Sequence, residues 1–263
     1  MDLGLSGRVA LVTGASKGLG RAIAHALARE GATVVIAART AATLEAAAEE
    51  IRAATRATVI PIVADVSSPD AIASLVAHAR AHAGEIDILV ANAGGPPSTT
   101  FATSSDAHYL AAIEQNLMGS IRLAHATVPA MQARKWGRVL FLTSMAAKMP
   151  LPGLLLSNTA RAGLLGFAKS LATEVARDNV LVNTLLTGHF DTDRARELAA
   201  MRAERTGVPI EQLLASRRAE IPLGRSGRPE EMADVAAFLA SERASFITGV
   251  ALQVDGGQVS SLL

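Results

Sequence analysis

Three glycines lie within seven residues near the start of the chain, in Thr13-Gly14-Ala15-Ser16-Lys17-Gly18-Leu19-Gly20. A short apolar run precedes them and an amphipathic segment follows, an order in which a glycine turn binds phosphate groups. The glycines allow a tight turn, a close approach to a pyrophosphate and close helix–strand packing, while free N–H groups at the helix start face the anion. An ordinary strand-to-helix turn rarely needs three glycines. We therefore expect a dinucleotide to contact Gly14, Ser16, Lys17, Gly18, Leu19 and Gly20.

The residues after the second apolar run indicate which dinucleotide binds. In such folds an acid about 20 positions past the glycines holds the ribose 2′-hydroxyl of NAD, but this run ends in Ala38-Arg39-Thr40. Arg39 is placed to meet a 2′-phosphate instead, and Lys17 can join it. A guanidinium binds phosphate through two parallel charge-assisted hydrogen bonds. These residues predict NADP(H), with two solvated surface charges as the alternative interpretation.

Short β-rich runs alternate with helical patterns along the whole chain. The spacing predicts strands at 8–13, 33–38, 58–63, 86–91, 138–143, 180–185 and 250–254. Strands separated by helices indicate right-handed crossovers and a parallel sheet. We predict an α/β fold: a single-domain, Rossmann-type, doubly wound parallel sheet of about seven strands with helices on both faces, spanning residues 1–263.

The stretch of residues 189–228 interrupts this alternation, because it is long, charged and helical in pattern. It lies between the last two predicted strands. An insertion there projects from the carboxyl edge of the sheet, where ligands bind in such folds. We expect this 189–228 segment to act as a lid over the substrate.

Composition narrows the class of protein. Half of the 263 residues are hydrophobic and the formal net charge is +1, which gives no electrostatic reason to expect nucleic acid. Cysteine is absent, so disulfides and thiol catalysis are excluded. The first residues show no charged-then-apolar leader, and no stretch of 18 apolar residues occurs. We expect a cytoplasmic enzyme with no membrane partner and no metal site.

Further motifs follow the glycine turn in order. They are Asp65-Val66, Asn92-Ala93-Gly94, Asn116, Ser144, Val182-Asn183-Thr184, Thr192 and Asp255-Gly256-Gly257. Together they resemble the short-chain dehydrogenases/reductases, specifically the single-domain group that includes 3-oxoacyl-acyl-carrier-protein reductases, over essentially the whole chain. The resemblance implies hydride transfer between NADP(H) and a carbonyl or alcohol substrate, with 3-oxoacyl compounds among the candidates.

On the adenosine side of the cofactor, the resemblance gives roles to two motifs. Asp65 would accept a hydrogen bond from the adenine amino group, with the Val66 backbone beside it. Asn92, Ala93 and Gly94 would end the fourth strand under the adenine-side ribose. From the residues alone, Asp65 can also be read as a neighbour of a helix N-cap, because Ser67-Ser68-Pro69 is typical of a helix start.

At the reacting end, the resemblance implies three further roles. Asn116, in a long helix, would bind a water that feeds a proton relay, although alone it reads as an ordinary polar helix residue. Ser144 would hydrogen-bond the substrate oxygen from the end of the fifth strand. Thr192 would help to hold the nicotinamide carboxamide.

The chain departs from the family at its catalytic Tyr-x-x-x-Lys. The tyrosine is expected 13 residues after Ser144, where this sequence has Ser157, and the lysine position holds Arg161. Tyrosine's pKa of about 10 falls usefully beside a cation, whereas an aliphatic hydroxyl is far less acidic. Arg161 would stay protonated, because the ordinary pKa of arginine lies far above neutral pH, and it could orient ribose hydroxyls or stabilise an oxyanion. Loss of general acid–base catalysis typically lowers the rate 10²–10⁴-fold.

Three other residues are candidates for delivering the proton. Tyr109 is the only tyrosine, but it lies two turns before Asn116 on the expected helix, which favours packing. His189 follows Thr187-Gly188 in the loop that passes the nicotinamide in the family, and histidine has a suitable ordinary pKa. A packing or solvent-facing histidine is the alternative. Lys148 follows Ser144 on a loop and reads best as a surface lysine.

The 189–228 segment carries the substrate-side signals. Its arginines are interspersed with Glu197, Glu204, Glu211 and Glu220, which favours a solvated, salt-bridged helix pair. The alternative is recognition of an anionic substrate or carrier phosphate. The arginines in question are Arg194, Arg196, Arg202, Arg205, Arg217 and Arg218. Apolar residues of the same segment, with those at 150–156, favour a hydrophobic carbonyl or alcohol over a sugar.

Two alternatives to an atypical oxidoreductase stay open from the sequence. The exchange to Ser157 and Arg161 fits an NADP(H)-binding sensor or scaffold without redox activity, and a non-hydride reaction in the same cleft is a third class. The resemblance also implies a homotetramer or homodimer formed through the helix of residues 157–176 and the C-terminal strand region. The small residues of that helix permit close contact, as they would within a monomer.

Overall fold

One parallel sheet of seven strands organises the protein in the computed structural model, which describes residues 1–261. The strand order is β3-β2-β1-β4-β5-β6-β7, and every paired strand is parallel. The strands are β1 (Val9–Thr13), β2 (Thr33–Ala38), β3 (Val59–Val63), β4 (Ile88–Ala91), β5 (Gly137–Ser144), β6 (Val180–Thr187) and β7 (Ala251–Val254). Their ends differ from the predicted ones by at most two residues.

Helices connect the strands and cover both faces of the sheet. They are α1 (Gly18–Arg29), α2 (Ala41–Thr55), α3 (Pro69–Ala83), α4 (Asp106–Ile113), α5 (Gly119–Ala133), α6 (Leu155–Val175), α7 (Asp193–Thr206), α8 (Ile210–Ala219) and α9 (Pro229–Ala240). The predicted doubly wound α/β fold is confirmed. The 189–228 segment contains α7 and α8.

The core consists of two apolar layers, because successive strand residues point to opposite faces of the sheet. Val12 on β1 packs in the layer formed with α1, α2 and α9, whereas its neighbour Leu11 packs in the layer formed with α3, α5 and α6. Strands that are buried on both faces have continuous apolar sequences. This explains why the strand positions could be predicted from the apolar runs of the sequence.

The strand order reverses between β1 and β4, which are direct neighbours although β2 and β3 separate them in the chain. Ligands bind in the crevice beyond the carboxyl ends of the strands at such a switch point. The glycine turn follows β1 and Asn92 follows β4, so both lie at this crevice. No helix of the described residues is long and apolar enough to cross a membrane.

Candidate active site

The glycine turn is braced by Asn92, from the end of the neighbouring strand. The Thr13 hydroxyl donates to the Asn92 carbonyl (2.8 Å) and accepts from the Asn92 N–H (2.9 Å), while Asn92 Nδ2 donates to the Gly14 carbonyl (3.2 Å). At Gly14 φ is +60°, and an added Cβ would lie 2.8 Å from Asn92 Nδ2. A Cβ on Gly20 would overlap the Gly14 carbonyl oxygen. Two of the glycines are therefore required by close packing of the turn itself.

The N-terminus of α1 is left free to bind an anion. Lys17 is the N-cap residue, its side chain makes no capping hydrogen bond, and the first turn contains no acid. The unpaired N–H groups and the helix dipole therefore favour a negative group at this point. The Lys17 ammonium instead forms an ion pair with Glu197 of α7, at 2.9 Å. The sequence predicts that Lys17 binds a 2′-phosphate, but it does not indicate that Glu197 pairs with the same ammonium group.

Arg39 and Asp65 lie close together beyond β2 and β3. Arg39 is exposed and has no hydrogen-bond or ion-pair partner among residues 1–261. Asp65 Oδ1 accepts from the N–H (2.9 Å) and the hydroxyl (2.8 Å) of Ser67. These bonds, the backbone one first, and the charge of Arg39 hold the pKa of Asp65 below its ordinary value against the effect of partial burial. Ser68, rather than Asp65, caps α3. Val66 follows and is partly buried.

Asn116 lies in a π-helical segment, Glu114–Met118, which joins α4 to α5. The predicted long helix runs from α4 through this segment into α5, and the segment has the wider π-helical turn that often accompanies functional sites. Asn116 is only 4% exposed. Its Nδ2 donates to the Ala112 carbonyl (3.3 Å), whereas its Oδ1 has no hydrogen-bond partner among residues 1–261. Such an orphaned buried acceptor is suited to an ordered water.

Ser144 is the last residue of β5, opposite Thr187 in the register with β6. Its Oγ accepts a hydrogen bond from the N–H of Ala146 (3.1 Å). The hydroxyl hydrogen is therefore still available for donation into the cleft. Because Thr187 leads into the 189–228 segment, the register also fixes Ser144 beside the start of that segment.

Ser157 and Arg161 form a hydrogen-bonded pair in the first turns of α6. Arg161 Nε donates to Ser157 Oγ (3.2 Å), and Arg161 Nη1 donates to the Leu142 carbonyl on β5 (3.2 Å). Ser157 is 8% exposed. Although part of Arg161 stays exposed, burial around its guanidinium lowers the pKa of Arg161 to about 10. This value is below the one expected from the residue type, yet Arg161 is still a cation at pH 7.

The loop after β6 approaches the glycine turn. A Cβ added to Gly18 would lie 3.7 Å from Cγ2 of Thr192, so the two predicted cofactor contacts share one region. Thr192 caps α7, its Oγ1 accepting from the N–H of Ala195 (3.3 Å). His189 is partly buried; burial first and the charge of Arg217 second lower its pKa, against an opposing effect of Glu220. His189 is therefore neutral at pH 7.

The two other candidates for proton delivery are Tyr109 and Lys148. Tyr109 lies in α4, on the same continuous helix as Asn116, and its hydroxyl oxygen accepts a hydrogen bond from Ser104 Oγ at 3.4 Å. Lys148 is exposed. Among the described residues, no group of three or more acidic, histidine or cysteine side chains is arranged to hold a metal ion.

The fold and these motifs are those of a known family. A family model described as enoyl-(acyl carrier protein) reductase matches residues 14–258. The 3-oxoacyl-[acyl-carrier-protein] reductase FabG of Escherichia coli is 38% identical, over 97% of this chain and 98% of its own. FabG of Pseudomonas aeruginosa is also 38% identical, over 98% of this chain and 100% of its own. The chain belongs to the short-chain dehydrogenase/reductase family.

Solved structures agree with this assignment. L-sorbose reductase from Gluconobacter frateurii, complexed with NADPH and L-sorbose, is 36% identical with a TM-score of 0.95, and each chain covers all of the other. An actinorhodin polyketide ketoreductase variant with NADPH is 32% identical with a TM-score of 0.91, over 95% of this chain and 97% of that one. The predictions of the family, of an oxidoreductase and of NADP(H) as its cofactor are confirmed.

Proposed function

We propose that this chain transfers hydride between NADP(H) and a carbonyl or alcohol group, with an altered route for the proton. The observation that carries the proposal is the hydrogen bond from Arg161 Nε to Ser157 Oγ (3.2 Å). These residues stand where the family's motif has lysine and tyrosine. Because Ser157 Oγ accepts from Arg161, the Ser157 hydrogen can be donated to a substrate oxygen.

The residues at the switch point fit NADP(H). The open N-terminus of α1 would bind the pyrophosphate, and the unpaired Arg39 would bind the 2′-phosphate. Asp65 Oδ2, which has no hydrogen-bond partner among residues 1–261, would accept from the adenine amino group next to the Val66 backbone. The loop of Asn92, Ala93 and Gly94 would border the adenine-side ribose, Arg161 would bind the other ribose, and Thr192 would hold the carboxamide. When bound, the nicotinamide supplies or accepts the hydride.

Ser144 and Ser157 would hold the substrate oxygen between two hydroxyl donors. Negative charge that develops on this oxygen during reduction is stabilised by the Arg161 cation. Ser157 alone is a weak acid and needs a second group that returns a proton to it as it donates its own. Arg161 Nε, or a water held at the unpaired Asn116 Oδ1, would supply this proton. His189 is a poor general acid for this step, because its lowered pKa leaves little of the protonated form at pH 7.

The 189–228 segment would close over a largely apolar substrate. Leu198 and Leu214 are partly buried, and Met201 and Ile210 present exposed apolar surface. We place this segment as the lid of a single domain of residues 1–263. A hydrophobic carbonyl or alcohol compound, 3-oxoacyl compounds included, is the substrate class that this surface favours.

A homotetramer, or a homodimer, would form through α6 and β7. Ala162, Gly163 and Gly166 are exposed along α6, and Val250 and Leu252 expose 38% and 39% of their surface beside it. A crevice of about 270 Å³ separates the two elements. Light scattering after gel filtration tests this assembly: a monomer at micromolar concentration contradicts it. A cytoplasmic location stays a prediction.

Binding and turnover test the function separately. NADPH binding is followed by nicotinamide fluorescence, and NADPH oxidation is then followed with ketones, 3-oxoacyl thioesters and quinones. The proposal expects binding and measurable oxidation with at least one ketone or 3-oxoacyl thioester. Tight binding without turnover of any compound favours a non-redox sensor or scaffold instead.

A double variant tests the altered proton route. Ser157→Tyr/Arg161→Lys restores the family's pair, and we expect its kcat to rise by about 10²–10⁴-fold, the usual contribution of general acid–base catalysis. Tyr109→Phe, which removes the hydroxyl of the tyrosine in α4, is the matched control and should leave kcat unchanged. A double variant that folds, binds NADPH and gains no activity contradicts the assignment of these two positions.

A further inference from the structure

Two histidines lie side by side on the exposed face of α3, away from the residues of the candidate active site. They are His78 and His82, and both side chains are exposed. Residues four apart in a helix share one face. The two rings are nearly parallel, with their centroids 6.3 Å apart and their planes inclined by 15°. The helix therefore presents two imidazole rings together to solvent.

Backbone hydrogen bonds determine which nitrogen of each ring is free. His78 Nδ1 lies 2.8 Å from the carbonyl oxygen of Ser74 and 3.2 Å from its hydroxyl, and His82 Nδ1 lies 2.8 Å from the carbonyl oxygen of His78. Because a carbonyl oxygen only accepts, Nδ1 of both neutral rings carries the hydrogen and Nε2 keeps its lone pair. Hydrogen bonds of this kind fix the tautomer and the orientation of metal-binding histidines. Both rings thus offer Nε2 as a ligand.

The surroundings of the pair favour a positive ion. His82 lies in the last turn of α3, where the helix dipole is negative. Arg80 lies between the two histidines in the chain, but its guanidinium is held by other groups. Its Nε lies 3.2 Å from Glu85 Oε2, and its Nη2 donates to the Ala126 carbonyl of α5 (3.0 Å). The charge of Arg80 is therefore balanced by Glu85 and directed towards α5.

We propose that His78 and His82 bind one divalent transition-metal ion through their Nε2 atoms. Two histidines four residues apart on a helix face are a known zinc-binding arrangement. Imidazole suits Zn²⁺, Cu²⁺ and Ni²⁺, whereas Mg²⁺ prefers oxygen ligands. Residues 1–261 place no third histidine, cysteine or acidic side chain with the pair, so water completes the coordination shell. The usual order of affinities gives Cu²⁺ tighter binding than Zn²⁺.

Metal titration of the untagged protein tests the site. Calorimetry with copper sulfate, zinc chloride and magnesium chloride compares the wild type with His78→Ala and His82→Ala. We expect one Cu²⁺ or Zn²⁺ per chain, with Cu²⁺ bound more tightly, and no binding of Mg²⁺. Each substitution should weaken the binding of Cu²⁺ and Zn²⁺ about 100-fold, because the second, linked ligand is lost. His125→Ala, which removes an exposed histidine of α5, should change nothing.

A second variant separates the spacing of the histidines from their number. His78→Ala/Ala77→His keeps two histidines but places them five residues apart, on different faces of α3, and should bind Zn²⁺ no better than His78→Ala. Saturating Zn²⁺ should raise Tm of the wild type by about 2–4 °C and leave Tm of this variant unchanged, while NADPH binding verifies that each variant folds.

The comparison of these proteins decides the inference. Loss of Zn²⁺ and Cu²⁺ binding in both single variants and in the respaced variant supports the site. Equal Zn²⁺ affinity in the wild type and in folded His78→Ala overturns it, as does an equal rise of Tm in the wild type and the respaced variant, or a wild type that binds Mg²⁺ as tightly as Zn²⁺.

Discussion

The Lys17 ammonium lies 2.9 Å from Oε1 of Glu197, although 180 residues separate them in the chain. The ion pair joins the glycine turn to α7, and it lowers the pKa of Glu197. Both side chains are about half exposed, so the pair contributes little to stability. The ion pair would instead affect cofactor binding, because Glu197 of the 189–228 segment would compete with the 2′-phosphate for Lys17.

Glu197→Gln should therefore tighten NADPH binding. Removing the carboxylate frees Lys17 for the 2′-phosphate, and we expect Kd for NADPH to fall about 2- to 5-fold, in proportion to an exposed ion pair, with no change for NADH. Fluorescence titration at low and at high salt measures this difference. Glu204→Gln, on the same helix and without an ion pair among the described residues, is the control. Weaker NADPH binding by Glu197→Gln would mean that the ion pair supports the site instead.

Arg39 should determine the choice between NADPH and NADH. Arg39→Ala removes the unpaired guanidinium beyond β2, and we expect NADPH affinity to fall about 10- to 100-fold because a charge-assisted hydrogen bond to phosphate is lost. NADH affinity should stay the same. Arg177, which is exposed at the opposite edge of the sheet, gives the matched control Arg177→Ala. Equal losses for both cofactors in Arg39→Ala would place the 2′-phosphate elsewhere.

The sequence predicts the sheet and the glycine turn well, because both follow from local constraints. Strands buried on two faces are apolar along their whole length, and Gly14 must adopt φ of +60° within its own turn. The contacts that the sequence does not predict join distant residues. Thr13 pairs with Asn92, and Lys17 with Glu197, and only the packed tertiary structure brings them together.

The Arg217 side chain has no hydrogen-bond or ion-pair partner among residues 1–261, and the sequence does not indicate this for a related reason. Arginines and glutamates alternate through the 189–228 segment, which indicates a salt-bridged helix pair. That pattern describes Arg194 and Arg196 correctly. It fails for Arg217, because the direction of a side chain depends on how α8 packs. A weak signal exists, because Arg217 lies four residues after the apolar Leu213 on α8.

Gly20→Ala should weaken cofactor binding. The new Cβ would overlap the Gly14 carbonyl oxygen, so α1 must move away from the turn that presents its N–H groups. We expect NADPH affinity to fall at least 10-fold and Tm to fall by several degrees, the usual result of overpacking by about 1–3 kcal/mol. Gly95→Ala, where an added Cβ meets nothing within 4 Å, should behave like the wild type. Normal NADPH binding by Gly20→Ala would show that this close packing is dispensable.

Arg161→Met should stabilise the protein while it lowers activity. The pKa of Arg161 is about 10 in the folded protein, below the ordinary value that it has in the unfolded chain, so the unfolded chain binds this proton more tightly. Below pH 10 both states are protonated, and the full cost of holding the charge in the protein is present; above pH 10 the cost declines. At pH 7 we expect Tm to rise by about 2–4 °C, the effect of roughly 1 kcal/mol. Arg177→Met should leave Tm unchanged.

The same pKa gives the pH dependence of reduction. The Arg161 cation is proposed to stabilise the substrate oxygen and to replace the proton of Ser157. In that case kcat is constant from pH 7 to about 9 and falls as the pH rises through about 10, where Arg161 loses its proton. Arg161→Met should have a low kcat without this fall. Initial rates of NADPH oxidation between pH 6 and 10.5, with circular dichroism to verify folding, measure both curves. A wild-type rate that stays level to pH 10.5, or falls between pH 6 and 7, would remove Arg161 from the proton route and direct attention to His189.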